Sequence, residues 1–483
     1  MKFPLFLSAI MLASAVFAQN KPLSLHPENA HYFLFRNKPT ILITSAEHYG
    51  AVVNLEFDFI KYLDELKANG LNYTRIFSGS YIEVPGAFGI SHNTLAPKVG
   101  KFICPWKRSK APGYKNGGNK FDLDKWDKEY FARLKRFISE SGKRGIIVEM
   151  TLFSSLYGDN GWNYSPLNGN NNVNKLDSVA RQKVQTLENG KLLKYQQTMV
   201  RKIVAELNEF DNVFYEIQNE PWADFGIKVL ELERKEEGLS PWQKIVEAAN
   251  PSSLAWQKHM VSVILTEEAG KRKKHLIAQN FTNFKYKLQN VNPAVSILNF
   301  HYAMPEAVSE NYELNKVIGF DESGFSGNKD ETYRNQAWRF ILSGGGLFNS
   351  LDYSFTIENP DGTAEQKAPG GGSPALRKQL KVLKNFMESF DFVKMKPVAH
   401  SQSSENKHHV YQLAEAGKQH AFFFEDVDQK SVSISLPAGN YNVELISVED
   451  GSYRSLGKKN HTGGELMLDI AGMKNFALKV IAF

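Results

Sequence analysis

The chain of 483 residues carries one cysteine, Cys104. A lone thiol excludes an internal disulfide, a multi-cysteine zinc site and a cysteine-ligated iron–sulfur cluster. Charge of one sign is also scarce: 58 basic against 52 acidic residues leave a formal net charge of +6. So small an excess, spread along the chain, gives no ground for a nucleic-acid or membrane-surface partner. Beyond the N-terminus no uninterrupted apolar run is long enough to cross a bilayer. No G-x-G-x-x-G follows a predicted strand, and neither G-x-x-x-x-G-K-[ST] nor G-x-S-x-G occurs, which weighs against nucleotide binding and a serine-hydrolase elbow. The 12 histidines show no metal-ligand spacing. Neither a metal nor a cofactor is expected.

What is present is a large apolar reserve, 42% of the residues, with 7 Trp and 19 Tyr. That suits a sizeable core and also stacking against sugars or bases. Residues 1–18, MKFPLFLSAIMLASAVFA, join an early lysine to an apolar run and end with Val16 and Ala18 at the small-residue positions of a cleavage site. This reads as a secretory signal peptide, and predicts export to the periplasm or the outside of the cell.

From about residue 40 to 390, short apolar runs alternate with helical patterns, the order of βα units. Eight strands are predicted: Thr40–Ser45, Tyr73–Phe77, Ile146–Leu152, Val213–Gln218, Leu276–Gln279, Ser296–His301, Val317–Asp321 and Leu347–Leu351. Helices are predicted over Phe57–Asn69, Trp126–Arg144, Leu192–Leu207, Pro241–Ala249, Pro251–Ala269, Thr332–Leu342 and Pro374–Ser389, with little helix after the fifth strand. The expected fold is a (β/α)8 TIM barrel over residues 19–392, with a doubly wound sheet as the alternative. Residues 393–483 read as short alternating strands separated by turns such as Pro437-Ala438-Gly439, a small C-terminal all-β sandwich. Two connections, Ser78–Asp122 and Phe153–Lys191, are long and hold Tyr81, Trp106, Tyr157, Trp162 and Tyr164. In a barrel they leave the strand ends that carry active sites.

Two strands end in carboxylates. The fourth runs VFYEIQ into Asn219, Glu220, Pro221 and Trp222; the seventh runs into Asp321 and Glu322 before Gly324. Paired carboxylates suit glycoside hydrolysis, where the leaving oxygen needs a proton and the cationic sugar carbon needs an anion on its other face.

With Asn219-Glu220 at the end of strand four, Glu322 at the end of strand seven, Arg75 at the end of strand two and His301-Tyr302 after strand six, the chain resembles retaining β-glycosidases of glycoside hydrolase clan A, especially the cellulase-like family five. The resemblance implies Glu220 as acid/base and Glu322 as nucleophile. Asn219 would bind the sugar 2-hydroxyl, Arg75 would keep Glu322 ionised, Tyr302 would donate to it, and His301 would contact substrate or Glu220. Where that family often has Trp after strand eight, this chain has Tyr353; where it often has His after strand three, Phe153-Ser154-Ser155 follows. His48-Tyr49 after strand one, and Trp162 and Trp222 as sugar platforms, complete the candidates. The expectation is a secreted retaining glycosidase acting on an oligo- or polysaccharide, with the aromatic loops forming a groove for endo action. A noncatalytic carbohydrate-binding barrel and a transglycosylase are the alternatives. The oligomeric state and the glycan are left open by the sequence.

Overall fold

The structure, a computed structural model, describes residues 21–235, 238–398 and 409–483. The segment read as a signal peptide lies outside them. Eight parallel strands form the central sheet: β1 (Leu42–Ala46), β2 (Tyr73–Phe77), β3 (Ile147–Ser154), β4 (Val213–Asn219), β5 (Ile277–Asn283), β6 (Ile297–His301), β7 (Val317–Glu322) and β8 (Leu347–Leu351). From β2 to β8 each strand pairs with the next, and β8 pairs with β1, the order of a TIM barrel. The remaining seam, between β1 and β2, is bridged by Asn72, whose backbone N–H donates to the Ile43 carbonyl at 3.4 Å and whose side chain spans it too. Asn72 Nδ2 donates to the Ile41 carbonyl at 2.9 Å and Oδ1 accepts from the Ile43 N–H at 3.1 Å.

Around the barrel run α1 (Phe59–Ala68), α2 (Lys128–Lys143), α3 (Leu192–Leu207), α4 (Pro251–Glu268), α5 (Asp330–Leu342) and α6 (Pro374–Glu388). Their starts follow ordinary capping chemistry. Asp58 and Asp127 accept from two backbone N–H groups each, and Ser373 caps α6, whose first residue is Pro374. The helix expected over Pro241–Ala249 is corrected: only Pro241–Lys244 forms a 3-10 turn, and Ile245–Ala249 is a strand paired antiparallel with Gly226–Glu231. The apolar spacing there fits either period, and a neighbouring strand edge decides it. The long second connection contains a hairpin, Trp106–Pro112 with Asn119–Trp126, that the sequence pattern did not show.

Strand periodicity layers the barrel interior. Tyr73, Ile147, Phe214, Ile297, Val317 and Leu347 form an apolar bottom layer, closed from below by Leu23, Phe33 and Phe35 of the N-terminal segment. Two residues further along each strand the lining turns polar: Arg75, Glu149, Glu216 and Asn299, all buried. Gly319 belongs to this layer because a Cβ there would stand 2.4 Å from Asn299 Oδ1. An apolar floor thus supports a charged layer directly beneath the barrel mouth.

Beyond α6 the chain builds a six-stranded antiparallel sheet and a two-stranded one. Val432 and Ile434 of the small sheet pack with Phe422, Val443 and Leu478 of the large one, the two faces of a sandwich. The large sheet docks on α5, where Trp338 stacks on Phe423 with ring centroids 5.5 Å apart.

Candidate active site

Glu220 follows the last residue of β4 in a left-handed backbone conformation, φ +43°, uncommon for a side-chain-bearing residue. Neighbouring strands hold it there: its N–H donates to Asn280 Oδ1 at 3.0 Å and its carbonyl accepts from Ser155 Oγ at 2.6 Å. Such strain is retained where surrounding bonds over-determine it. Glu322 ends β7. The β6–β7 ladder slips here, with Phe300 opposite Phe320 but His301 opposite Glu322. Asp321 thereby turns into the charged layer, near Asn299 Nδ2 (3.0 Å), while Glu322 lines the mouth.

The two acids converge on shared partners. His301 Nδ1 lies 2.8 Å from Glu220 Oε1 and 3.6 Å from Glu322 Oε1. The Tyr302 hydroxyl is 3.1 Å from Oε1 of both. One carboxylate oxygen of each lies within 4.8 Å of the other. Tyr157 donates to Glu220 Oε2 at 2.7 Å, Tyr49 to Glu322 Oε2 at 2.7 Å, and Arg75 Nη1 to that same oxygen at 3.3 Å. Asn219 Oδ1 accepts from Arg75 Nη2 at 2.7 Å, and its Nδ2 donates to the Tyr157 oxygen at 2.6 Å.

Burial opposes a charged imidazole at His301, but the Glu322 and Asp321 carboxylates outweigh it and hold its pKa well above the ordinary value. Burial also raises Glu220, yet the hydrogen bond and charge of His301 and the two tyrosine hydroxyls bring it below the usual carboxylate value. Glu322 stays raised: burial and the Glu220 charge exceed the pull of His301 and Arg75. In the charged layer, burial lifts Glu216 to about 7 against the opposing charge of Arg75.

Two carboxylate sets are close enough to share a cation, Glu220–His301–Glu322 and Glu149–Glu216–Asp321. Both are met by N–H donors, from His301 and Arg75 in the first and from Asn299 and Arg75 in the second. Donors aimed at these oxygens disfavour a cation there.

Above the acids lies a cavity of about 300 Å³. It brings together seven of the residues expected from sequence: Glu220, Glu322, Asn219, Tyr302, Trp222, His48 and Tyr49. Arg75 and His301 stand beneath them, buried, and act on the acids. Two expectations are corrected. Trp162 is packed in the short helix Asp159–Tyr164 with its Nε1 donating to the Val179 carbonyl at 3.1 Å; loop packing claims the ring. Tyr353 lies behind His48, ring centroids 5.7 Å apart, and is outside the cavity wall. The wall also contains Glu83, Phe88, Trp242, Glu247, Asn283 and Phe325. Asn283 ends β5, four residues beyond the end expected from the sequence; the other five carry no strand-end signal and sit in loops or an appended hairpin.

No protein-family model matches the chain, and no curated protein sequence matches it. Solved structures do. A glycoside hydrolase family 5 structure from Bacteroides vulgatus superposes with a TM-score of 0.61 at 12% identity, over 95% of this chain and 93% of that one. A second glycoside hydrolase gives a TM-score of 0.61 at 13% identity, over 96% and 97% of the two chains. A structure from Bacteroides vulgatus described as a candidate glycoside hydrolase gives 0.65 at 12%, over 96% and 83%. At these identities the likeness is one of fold, and it extends through the C-terminal sheets as well as the barrel.

Proposed function

We propose that the chain is a retaining β-glycosidase, exported if residues 1–18 act as their sequence reads, that cleaves a glycan with Glu220 and Glu322. The observation that carries this reading is the approach of the two carboxylates, oxygens within 4.8 Å. Retaining enzymes hold their acids about 5–5.5 Å apart, whereas inverting ones leave about 6.5–9.5 Å for a water between them. An approach this close supports the retaining arrangement.

In this reading Glu322 attacks the anomeric carbon and Glu220 protonates the departing oxygen. Glu220 then takes a proton from water, which displaces the sugar from Glu322. Arg75 and Tyr49 donate to Glu322 Oε2 and stabilise its anion. A glycan over the acids adds burial at Glu220 and raises its pKa toward that of a general acid. His301 and Tyr302 touch both acids and link them by hydrogen bonds through which a proton passes. A sugar-binding barrel without turnover needs neither the pair nor the groups that set its charge.

The test is hydrolysis of activated aryl β-glycosides. Glu322→Gln abolishes turnover, while Glu220→Gln keeps the first step when the leaving group needs no proton. Full activity in both variants would end the reading.

A further inference from the structure

We infer that the cavity is blind on the Glu322 side and takes the terminal sugar of a chain, whose hydroxyls bind Glu83, so that the enzyme releases sugars from the non-reducing end. The inference rests on the glycosidase reading and adds the mode of attack to it.

The two acids give the cavity a direction. The attacked carbon belongs to the ring that ends on Glu322, so this ring extends to the Glu322 side and the leaving group to the Glu220 side. Trp222, two residues after Glu220, stands on the latter, edge-on to His301 at 5.6 Å, while Trp242 lies over the middle, against Tyr302 at 5.0 Å and Phe325 at 5.8 Å. On the Glu322 side, beyond Tyr49, come His48 and Glu83. His48 Nε2 lies 3.0 and 3.1 Å from the two Glu83 oxygens, and Asn93 Nδ2 donates to one of them. These bonds leave lone pairs of the carboxylate unused. Sugar hydroxyls are donors that fit them.

That end is sealed. The β1 and β2 loops meet there backbone to backbone: a Cβ on Gly50 would lie 2.2 Å from the Thr94 carbonyl oxygen. Asn54 Nδ2 and Thr94 Oγ1 stitch the same seam at 2.9 Å to the Thr94 carbonyl and 2.5 Å to Glu47. Tyr353 backs His48. Overhead, Phe88 of the β2 connection reaches Phe325 after β7, centroids 6.2 Å apart, and Tyr157 after β3, at 5.2 Å. A volume of about 300 Å³ is the lower end of small-molecule sites, about 300–1,000 Å³, a size that suits a terminal sugar ring. The groove expected from the aromatic loops is therefore closed by those same aromatics.

The experiment compares two aryl β-oligosaccharides of the sugar that a panel of aryl β-pyranosides identifies, one free and one carrying a 4,6-O-benzylidene group on its non-reducing end. Release from the free substrate with none from the capped one is expected. Equal release from both would overturn the blind pocket and leave the glycosidase reading standing. No release from any member of the panel or from the free oligosaccharide would overturn both. Glu83→Gln, checked for an unchanged melting temperature, is expected to raise KM for the free substrate about tenfold with a smaller change in kcat, as loss of a charged hydrogen-bond acceptor does. An unchanged KM would remove Glu83 from sugar recognition.

Discussion

The Tyr157 hydroxyl donates to Glu220 Oε2 at 2.7 Å, so that with His301 and Tyr302 on Oε1 both oxygens of this carboxylate are engaged by protein groups. Tyr157 itself has a left-handed backbone, φ +51°, and precedes Gly158, a local geometry held in place by its contacts rather than by preference.

Tyr157→Phe removes a hydrogen bond that favours the ionised carboxylate, and the pKa of Glu220 rises. With Glu220 as the acid, the alkaline limb of the kcat/KM profile moves to higher pH. The profile on an aryl glycoside whose departure needs a proton measures this, and an unmoved limb would show that Tyr157 does not act on the acid.

Arg75 is fully buried and its guanidinium meets Glu216, Asp321 at 3.5 Å, Glu149 at 3.9 Å and Glu322 at 3.3 Å. Arg75→Met leaves these carboxylates without that cation. Breaking a buried ion pair by deleting one partner costs about 3–5 kcal/mol, and urea unfolding should show a loss of that size. Turnover should fall with it, because Glu322 and Asn219 lose a donor they share. A variant of wild-type stability would mean that the carboxylates of this layer are already neutral.

Glu216 contributes to the pH dependence of the fold. Burial lifts its pKa to about 7 in the folded chain, against about 4.3 when unfolded. Between those values the folded state holds a proton that the unfolded state has released. The stabilisation is complete below the lower value and is lost as pH rises through about 7. At roughly 1.4 kcal/mol per pKa unit the change is on the order of 4 kcal/mol. Glu216→Gln keeps the shape of the side chain and removes the titration. Its melting temperature should fall less between pH 5 and 8 than that of the unaltered protein; parallel curves would contradict the assignment.

The eight barrel strands were legible because each is a short apolar run bounded by turn residues, and most ends agree within two residues. Glu220, Glu322, Arg75, Asn219 and His301 were legible for a related reason. They stand at strand ends or inside strands, where a charged residue after an apolar run has few other uses. Choosing Glu322 over Asp321 was harder, since the one-residue slip against β6 that turns them apart leaves no trace in either residue's type. Glu83, Phe88, Trp242 and Phe325 were not legible at all. Their places depend on how long loops fold over the barrel, and Asn93, Leu95 and Thr94 that pin the Glu83 loop look like any polar connection. Trp162 misled for the converse reason: an aromatic in a long loop packs the loop itself as readily as it faces a ligand. The strand Ile245–Ala249 was misread because its partner, Gly226–Glu231, has to be known before period two can be preferred over helical spacing.

Trapping the covalent intermediate tests the central claim most directly. A 2-deoxy-2-fluoro β-glycosyl fluoride, of the sugar that the aryl glycoside panel selects, slows both steps while its leaving group keeps the first one accessible. Mass spectrometry of the protein after incubation should show one added fluoroglycosyl group, and peptide mapping should place it on Glu322, with Glu322→Gln remaining unlabelled. A label on another residue, or rapid turnover of the free sugar with inverted configuration and no label, would contradict it.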